Sequence, residues 1–392
     1  MKCKLEEIVD ITMGQSPKSK YYNTDGKGYP FLQGNRTFGF KYPTFDTYTT
    51  VMTKSAKAGE VIMSVRAPVG DINITPVDMC LGRGVCSLRM KNGNQDFLFY
   101  MMKYYIPQLL KKESGTVFGS VNRSDISGLD VDIPEDAKTQ KKIARYLEMI
   151  DDKIELNNNI NENLEMQALA LFRHYFMDFE PYGCSAPSSW SKVSLDDVCT
   201  RITDGSHYSP SDVPRAPYPM YSVKNMETYG FDSTSCKHIT AEDFHKMQKS
   251  DCVPRLNDIL VAKDGSYLKE IFICSEEKDE AILSSIAIFR PNTKVIIPEI
   301  LLYLLKQPSV KKDVGDNYVS GSALPRIVLK DFKKYVFLLP PMTEQLKIGA
   351  ILHAIRMQIK ANIDEIQNLS TLRDALLPKL ISGELDVSDL DL

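Results

Sequence analysis

The stretch KKIARYLEMIDDKIELNNNINENLEMQALALFRHYF (141–176) decides the fold, because its pattern is written a second time in the same chain. Ile143, Leu147, Ile150, Ile154, Asn157, Asn161, Leu164, Ala168, Leu171 and Tyr175 alternate in steps of four and three. That spacing keeps one seam of an α-helix turned toward a partner. Ile348, Leu352, Ile355, Ile359, Asn362, Ile366, Leu369, Arg373, Leu376 and Leu380 repeat it, each 205 positions on and without a gap. A helix of roughly 36 residues is about 54 Å long at 1.5 Å per residue. A chain carrying so long a seam twice is expected to pair it with itself, antiparallel, with a globular unit at either end. Aligning the middles of the seams sets Asn161 opposite Asn362 and Asn157 opposite Ile366. Such a polar layer costs stability but penalises slipped registers.

Working outward, the chain reads as two copies of a segment followed by a helix. The first segment, 1–137, holds short β-type runs, EVIMSV (60–65), DINIT (71–75) and VCSLRM (85–90), then a helical stretch, DFLFYMMKYYIPQLLKK (96–112), and a polar loop at 113–125. The first helix occupies 138–179. A linker rich in Pro, Gly and Ser, EPYGCSAPSSWS, follows at 180–191. The second segment, 192–340, keeps the order of the first: NDILVAK (257–263) answers GEVIMSV (59–65), SSIAIFRP (284–291) answers GVCSLRMK (84–91), and EILLYLLKQ (299–307) answers DFLFYMMKY (96–104). The second helix is expected over 341–385, kinked or ended at Pro378 and stopped at Gly383, before an acidic tail, 386–392. The expected fold class is α+β: two pseudo-twofold-related domains separated by a long antiparallel two-helix coiled coil.

The net charge of −3 hides a division. Residues 1–137 carry 17 basic and 15 acidic side chains and 190–340 carry 20 of each, so the helical segments hold the excess negative charge. Affinity for a polyanion, if present, must come from local patches on the two larger segments. No apolar run approaches the ~18 residues of a membrane span, and MKCKLEEIVD turns acidic before a signal-peptide core forms. Eight cysteines without a dense framework read as reduced thiols, and a cytoplasmic location is expected. There is no G-x-x-x-x-G-K-[ST] phosphate loop, no H-E-x-x-H and no C-x-x-C. The only Pro-Pro pair, Pro340-Pro341, lacks the Asn/Asp and the aromatic residue of an amino-methyltransferase motif. No cofactor, no metal and no catalytic residue are expected.

Residues 139–179 resemble the central conserved region of the specificity subunit of type I restriction-modification enzymes. LPPMTEQLKIGAILHAI (339–355) and LRDALLPKLISGEL (372–385) resemble its C-terminal conserved region, and GEVIMSVRAPVGDINI (59–74) and NDILVAKDGSY (257–267) resemble strands of its two target-recognition domains. The resemblance covers nearly the whole chain. It implies a non-catalytic subunit whose two recognition domains each read one half of a bipartite, asymmetric site on double-stranded DNA. The helices then set the separation and dock two methyltransferase subunits, which restriction and translocase subunits join. A protein scaffold without a DNA role, or an enzyme with an unrecognised site, would explain the same composition less completely.

Reading bases takes donors and acceptors that reach base edges, and cations for phosphate. In the first domain the candidates are Gln33, Asn35, Arg36, Arg66, Arg83, Ser120, Asn122 and Arg123. In the second they are Lys224, Asn225, Lys263, Ser266, Tyr267, Ser320, Ser322 and Arg326. All lie in polar turns between strand-like runs, with the loops 115–124 and 317–326 as the main contact elements.

Overall fold

The computed structural model describes residues 1–111, 119–321 and 324–387. The chain is a mixture of strand and helix in two compact units: Met1–Asn159 with Asn362–Leu392, and Ile160–Ala361. The acidic tail lies, from residue 388 on, outside the described residues.

In the first unit β1 (Val9–Met13), β2 (Val61–Ser64), β3 (Ile72–Ile74) and β4 (Val85–Met90) form one antiparallel sheet in the order β1-β4-β2-β3. Every residue of β2 and β3 is buried, and the two polar ones are hydrogen-bonded: Ser64 Oγ accepts from Asp71 N–H at 3.0 Å and the Asn73 amide donates to Gly39 O at 2.9 Å. Helix α1 (Gln95–Leu110) covers one face, burying Phe97, Leu98, Phe99, Tyr100, Met101 and Met102. A smaller sheet pairs Tyr29–Leu32 with Met79–Leu81 in parallel. All three β-type runs and the helical stretch expected here are present.

The second unit follows the same plan. β5 (Cys199–Asp204), β6 (Ile259–Ala262), β7 (Ile271–Ile273) and β8 (Ile286–Pro291) form an antiparallel sheet in the order β5-β8-β6-β7. A parallel pair, Tyr218–Tyr221 with Ala281–Ile282, again flanks it. Helix α3 (Pro298–Leu305) stands where α1 stands in the first unit. Trp190, inside the segment read as a linker, is buried here among Phe176, Phe179 and Tyr182, and its indole N–H donates to Glu344 Oε2 at 3.1 Å.

Two helices of 40 residues each complete the fold, α4 (Ala137–Phe176) and α5 (Met342–Ile381), and the division into units falls within both. None of the twenty seam positions is exposed. Within the first unit Arg373 Nη1 lies 2.9 Å from Asp151 Oδ1, and Asn157 Nδ2 donates to Glu365 Oε2 at 2.8 Å, so numbers fall along α5 as they rise along α4. Asn157, expected opposite Ile366, gives its amide to the carboxylate of the neighbouring Glu365, because a buried amide needs an acceptor. That hydrogen bond, with help from Lys153, holds the Glu365 carboxyl below its ordinary value. In the second unit the buried positions run Ala168, Phe172 and Phe176, in steps of four, with Leu171 and Tyr175 half-buried. The strict seam drifts because 3.5 is not the period of a straight helix, and the Trp190 cluster takes up Phe176. Pro378 does not end α5, which runs three residues past it; the carbonyl it leaves unpaired is that of exposed Asp374, within reach of water. Gly383, at φ +75°, is the stop expected of it.

Asp151 gathers three side-chain partners in the first unit. Its side chain is 1% exposed and meets Tyr100 Oη at 2.9 Å, Lys103 Nζ at 3.5 Å and Arg373 Nη1 at 2.9 Å, tying α1, α4 and α5 together. Burial, then the charge of Asp151, pushes the Tyr100 hydroxyl far above its ordinary range, so it stays a donor. In the second unit Tyr303 and Lys306, the aligned pair, converge on Glu165 at 3.4 and 2.6 Å. Replacing Asp151 with alanine takes the shared carboxylate from the half-buried Lys103 and Arg373, the latter still paired with Asp374, and leaves the Tyr100 hydroxyl without its acceptor, which should cost about 1–3 kcal/mol. Urea unfolding followed by circular dichroism should show that loss, and Asp151→Leu with Arg373→Met should recover most of it.

Candidate nucleic-acid interface

One edge of the first unit gathers most of the candidates through a run of backbone hydrogen bonds. Gly84 N–H donates to Gln33 O at 3.0 Å, Val65 N–H to Gly84 O at 2.9 Å, and Val121 N–H to Val65 O at 3.1 Å. Glycine is required at 84, since a Cβ there would sit 2.2 Å from the Gln33 carbonyl oxygen. The ladder carries Gln33, Arg83, Arg66, Ser120 and Asn122 to adjacent places, with Arg123 following. Asn122 caps the short helix Arg123–Ser127, its Oδ1 accepting from the N–H groups of Ser124 and Asp125 at 2.8 and 3.1 Å. Arg66, Arg83 and Arg123 are exposed, and among the described residues none of the three has a carboxylate within ion-pair distance. Asn35 and Arg36 already have carboxylate partners: the amide of Asn35 donates to Asp71, and the exposed Arg36 pairs with Asp46 at 2.7 Å. The part of the loop from 115 to 118 lies outside the described residues.

The corresponding edge of the second unit is charged differently. Lys263 N–H donates to Ser285 O at 3.0 Å and Ile327 N–H to Lys263 O at 3.1 Å, repeating the ladder. Here, however, Lys263 is 4% exposed, with Nζ 2.7 Å from Asp204 Oδ2 and 3.9 Å from Asp264 Oδ1. His207 Nε2 stands 3.2 Å from the same Asp204 oxygen, and Arg326 Nε stands 3.0 Å from Asp264 Oδ1. Burial alone would raise the Asp204 carboxyl, but the hydrogen bond and charge of Lys263 overrule it and hold it below the ordinary value. Asn225 is buried, accepting from Ser222 N–H at 3.0 Å and donating to Ser235 Oγ at 3.3 Å. Lys224, Ser266 and Arg326 are exposed, and Tyr267 and Ser320 are half-buried. Ser322 lies outside the described residues.

Three further contributors escaped the sequence reading. Lys18 and Lys20 are exposed beside Ser16, whose hydroxyl accepts from Arg83 N–H at 3.0 Å. Asp264 was passed over although it follows NDILVAK where Arg66 follows GEVIMSV, so the alignment itself carried the signal. Burial pushes the Cys86 thiol up to about 12, and burial followed by the charge of Asp196 does the same to Cys199, so both are weak nucleophiles. Among the described residues no group of three or more His, Cys, Asp or Glu could hold a metal ion, and no helix is long and apolar enough to cross a membrane. What the edges offer is donors, acceptors and cations at the ends of rigid strands.

Comparison with known proteins points the same way. The family model for the type I restriction modification DNA specificity domain matches residues 1–166 and 187–369. A putative type I restriction enzyme specificity subunit of Methanocaldococcus jannaschii, MjaX, is 38% identical over 162 residues, 41% of this chain and 38% of that one. A second specificity subunit of that organism, MjaIX, is 24% identical over 413 residues, spanning 99% of this chain and 94% of its own. The crystal structure of a type I restriction-modification S subunit from M. genitalium shares the fold, with a TM-score of 0.61 at 16% identity over 99% of this chain and 96% of that one.

The Asp204–Lys263 pair gives a pH dependence of definite sign. A carboxyl held below its unfolded value, near 3.9, stabilises the fold at pH above that value, and the contribution disappears as pH falls through the depressed folded value. Thermal melts of the wild type and of Asp204→Asn should therefore differ most at neutral pH and converge on acidification. A gap that widened as pH fell would contradict the assignment.

Proposed function

The chain belongs to the family of type I restriction-modification DNA specificity subunits, and on that premise we propose that it reads a bipartite, asymmetric site on double-stranded DNA, one half with each unit. In this reading 1–137 and 192–340 are the target-recognition domains, and α4 and α5 form an antiparallel coiled coil that relates them by a pseudo-twofold axis and sets their separation. At 1.5 Å per residue, 40 residues make a rod of about 60 Å, which separates two half-sites by more than one DNA turn of ~34–36 Å. The observation that carries the proposal is the recurrence of one sheet plan and one hydrogen-bond ladder with different side chains on its edge, each copy joined to a helix repeated without a gap. A shared scaffold with unlike edges is what two unlike half-sites require.

The subunit itself is non-catalytic in this proposal and works by docking others. Exposed apolar side chains on the long helices, Met149, Leu156 and Met166 on α4 and Leu346, Ile351 and Leu372 on α5, suit two methyltransferase subunits, with restriction and translocase subunits joining through them. Arg83 and Arg123, which have no carboxylate partner among the described residues, supply attraction to the duplex, and Arg66 is placed to reach a base. Gln33, Ser120, Asn122, Lys224, Ser266, Tyr267, Ser320 and Arg326 supply contacts nearer the bases.

Exchanging residues 1–137 for those of a relative should change only one half of the methylated sequence, as read by methylome sequencing; an unchanged or wholly altered site would contradict the division of labour. Arg83→Ala should weaken binding of the assembled complex about equally for all sequences and lower the slope of log affinity against log salt by about one. Titrations at several salt concentrations check this.

A further inference from the structure

At the edge of the first unit Arg66 forms an antiparallel bridge with Ser120, flanked by Ala67 N–H to Gly119 O and Val121 N–H to Val65 O, both 3.1 Å. In the second unit Asp264 bridges Arg326, flanked by Gly265 N–H to Pro325 O at 2.8 Å and Ile327 N–H to Lys263 O at 3.1 Å. The registers match bond for bond, so Arg66 corresponds to Asp264 and Ser120 to Arg326. Each bridge carries one arginine, and the two arginines stand on opposite strands of it. Resting on the DNA-reading function proposed above, we propose that this bridge is the specificity-determining position of each unit, its arginine donating to a guanine edge, with Asp264 as the positioning residue for Arg326.

In the second unit charge distinguishes this role from a phosphate contact. Lys263, Asp204, Asp264 and Arg326 form a chain of two cations and two carboxylates, a balance that gives a phosphate little to gain. The Arg326 side chain is nevertheless 54% exposed, and its contact to Asp264 uses Nε. The guanidinium is thus held beside a buried carboxylate by an ion pair, without a hydrogen bond to it, while the side chain stays open to solvent. An exposed guanidinium can meet O6 and N7 of guanine in the major groove with two parallel donors, and lysine does not reproduce that fork. Asp264 is itself anchored: its side chain is 11% exposed and its backbone is paired with that of the residue it orients. In the first unit Arg66 projects from the strand end, with Ser120 opposite, and has no carboxylate to balance it among the described residues.

The test uses the full chain in complex with its methyltransferase subunits, bound to pools of randomised duplex at two salt concentrations, with sequencing of the bound fraction. Arg326→Lys, which keeps the charge, should relax preference at a single G·C position in one half-site by roughly ten- to a hundredfold. Arg66→Lys should do so at one position in the other half-site. Asp264→Asn should relax the same position as Arg326→Lys with an unchanged melting temperature, and the double variant should be no worse than Arg326→Lys alone. A uniform loss across sequences, unchanged preferences, or effects of Asp264→Asn and Arg326→Lys at different positions would each overturn the proposal. A wild-type complex without sequence preference would instead bring down the DNA-reading function on which it rests, and this inference with it.

Discussion

A helix of 40 residues with an apolar stripe cannot leave that stripe in water, and the rest of the structure depends on how it is covered. In the first unit Ile143, Ala144 and Leu147 of α4 share a core with Leu380 and Ile381 of α5 and with the sheet-facing side of α1. In the second, Ala168, Phe172 and Phe176 share one with Ile348 and Leu352. Each fully buried leucine or isoleucine contributes about 1.5–3 kcal/mol. The buried polar members of the seam, Asn157, Asn161 and Asn362, do not add to that gain, and neither do Asp151 and Arg373. Within the first unit two of these polar groups make definite contacts from α4 to α5, Asn157 to Glu365 and Asp151 to Arg373.

Above that frame the sheets position chemistry at their ends. Tight backbone ladders hold Arg66 and Arg83 within one hydrogen-bonded run, and glycine at 84 lets the strands approach. Because the ladder is made by main-chain groups, the side chains on it can change while the scaffold stays. The two edges illustrate this: one has arginines without carboxylate partners among the described residues, and the other is a balanced chain built around a buried lysine.

Periodicity made the scaffold legible in advance. The four-three alternation, the gapless repeat and the aligned β runs led to both long helices and to the central strands of both sheets. The seam's drift past Leu164 was not legible, since it depends on Trp190 folding back onto Phe176 from a segment whose composition reads as a linker. Among the candidate residues, chain position separated turns from strands but not outward from inward side chains. Asn225 and Lys263 look like their neighbours in sequence; their burial follows from Ser222, Ser235 and Asp204, which lie nearby only after folding. Arg36 is similarly claimed by Asp46, ten residues away. The local pattern shows where a groove can be met, and the tertiary partners decide which side chains are left to meet it.

The central claim is that one chain reads two separated half-sites at a distance fixed by its paired helices. Mapping methylated bases across a genome exposed to the assembled complex tests it most directly. The account predicts two short constant blocks of different sequence, separated by a gap of fixed length and arbitrary sequence. A single contiguous motif, or two blocks whose spacing varies from site to site, would contradict it.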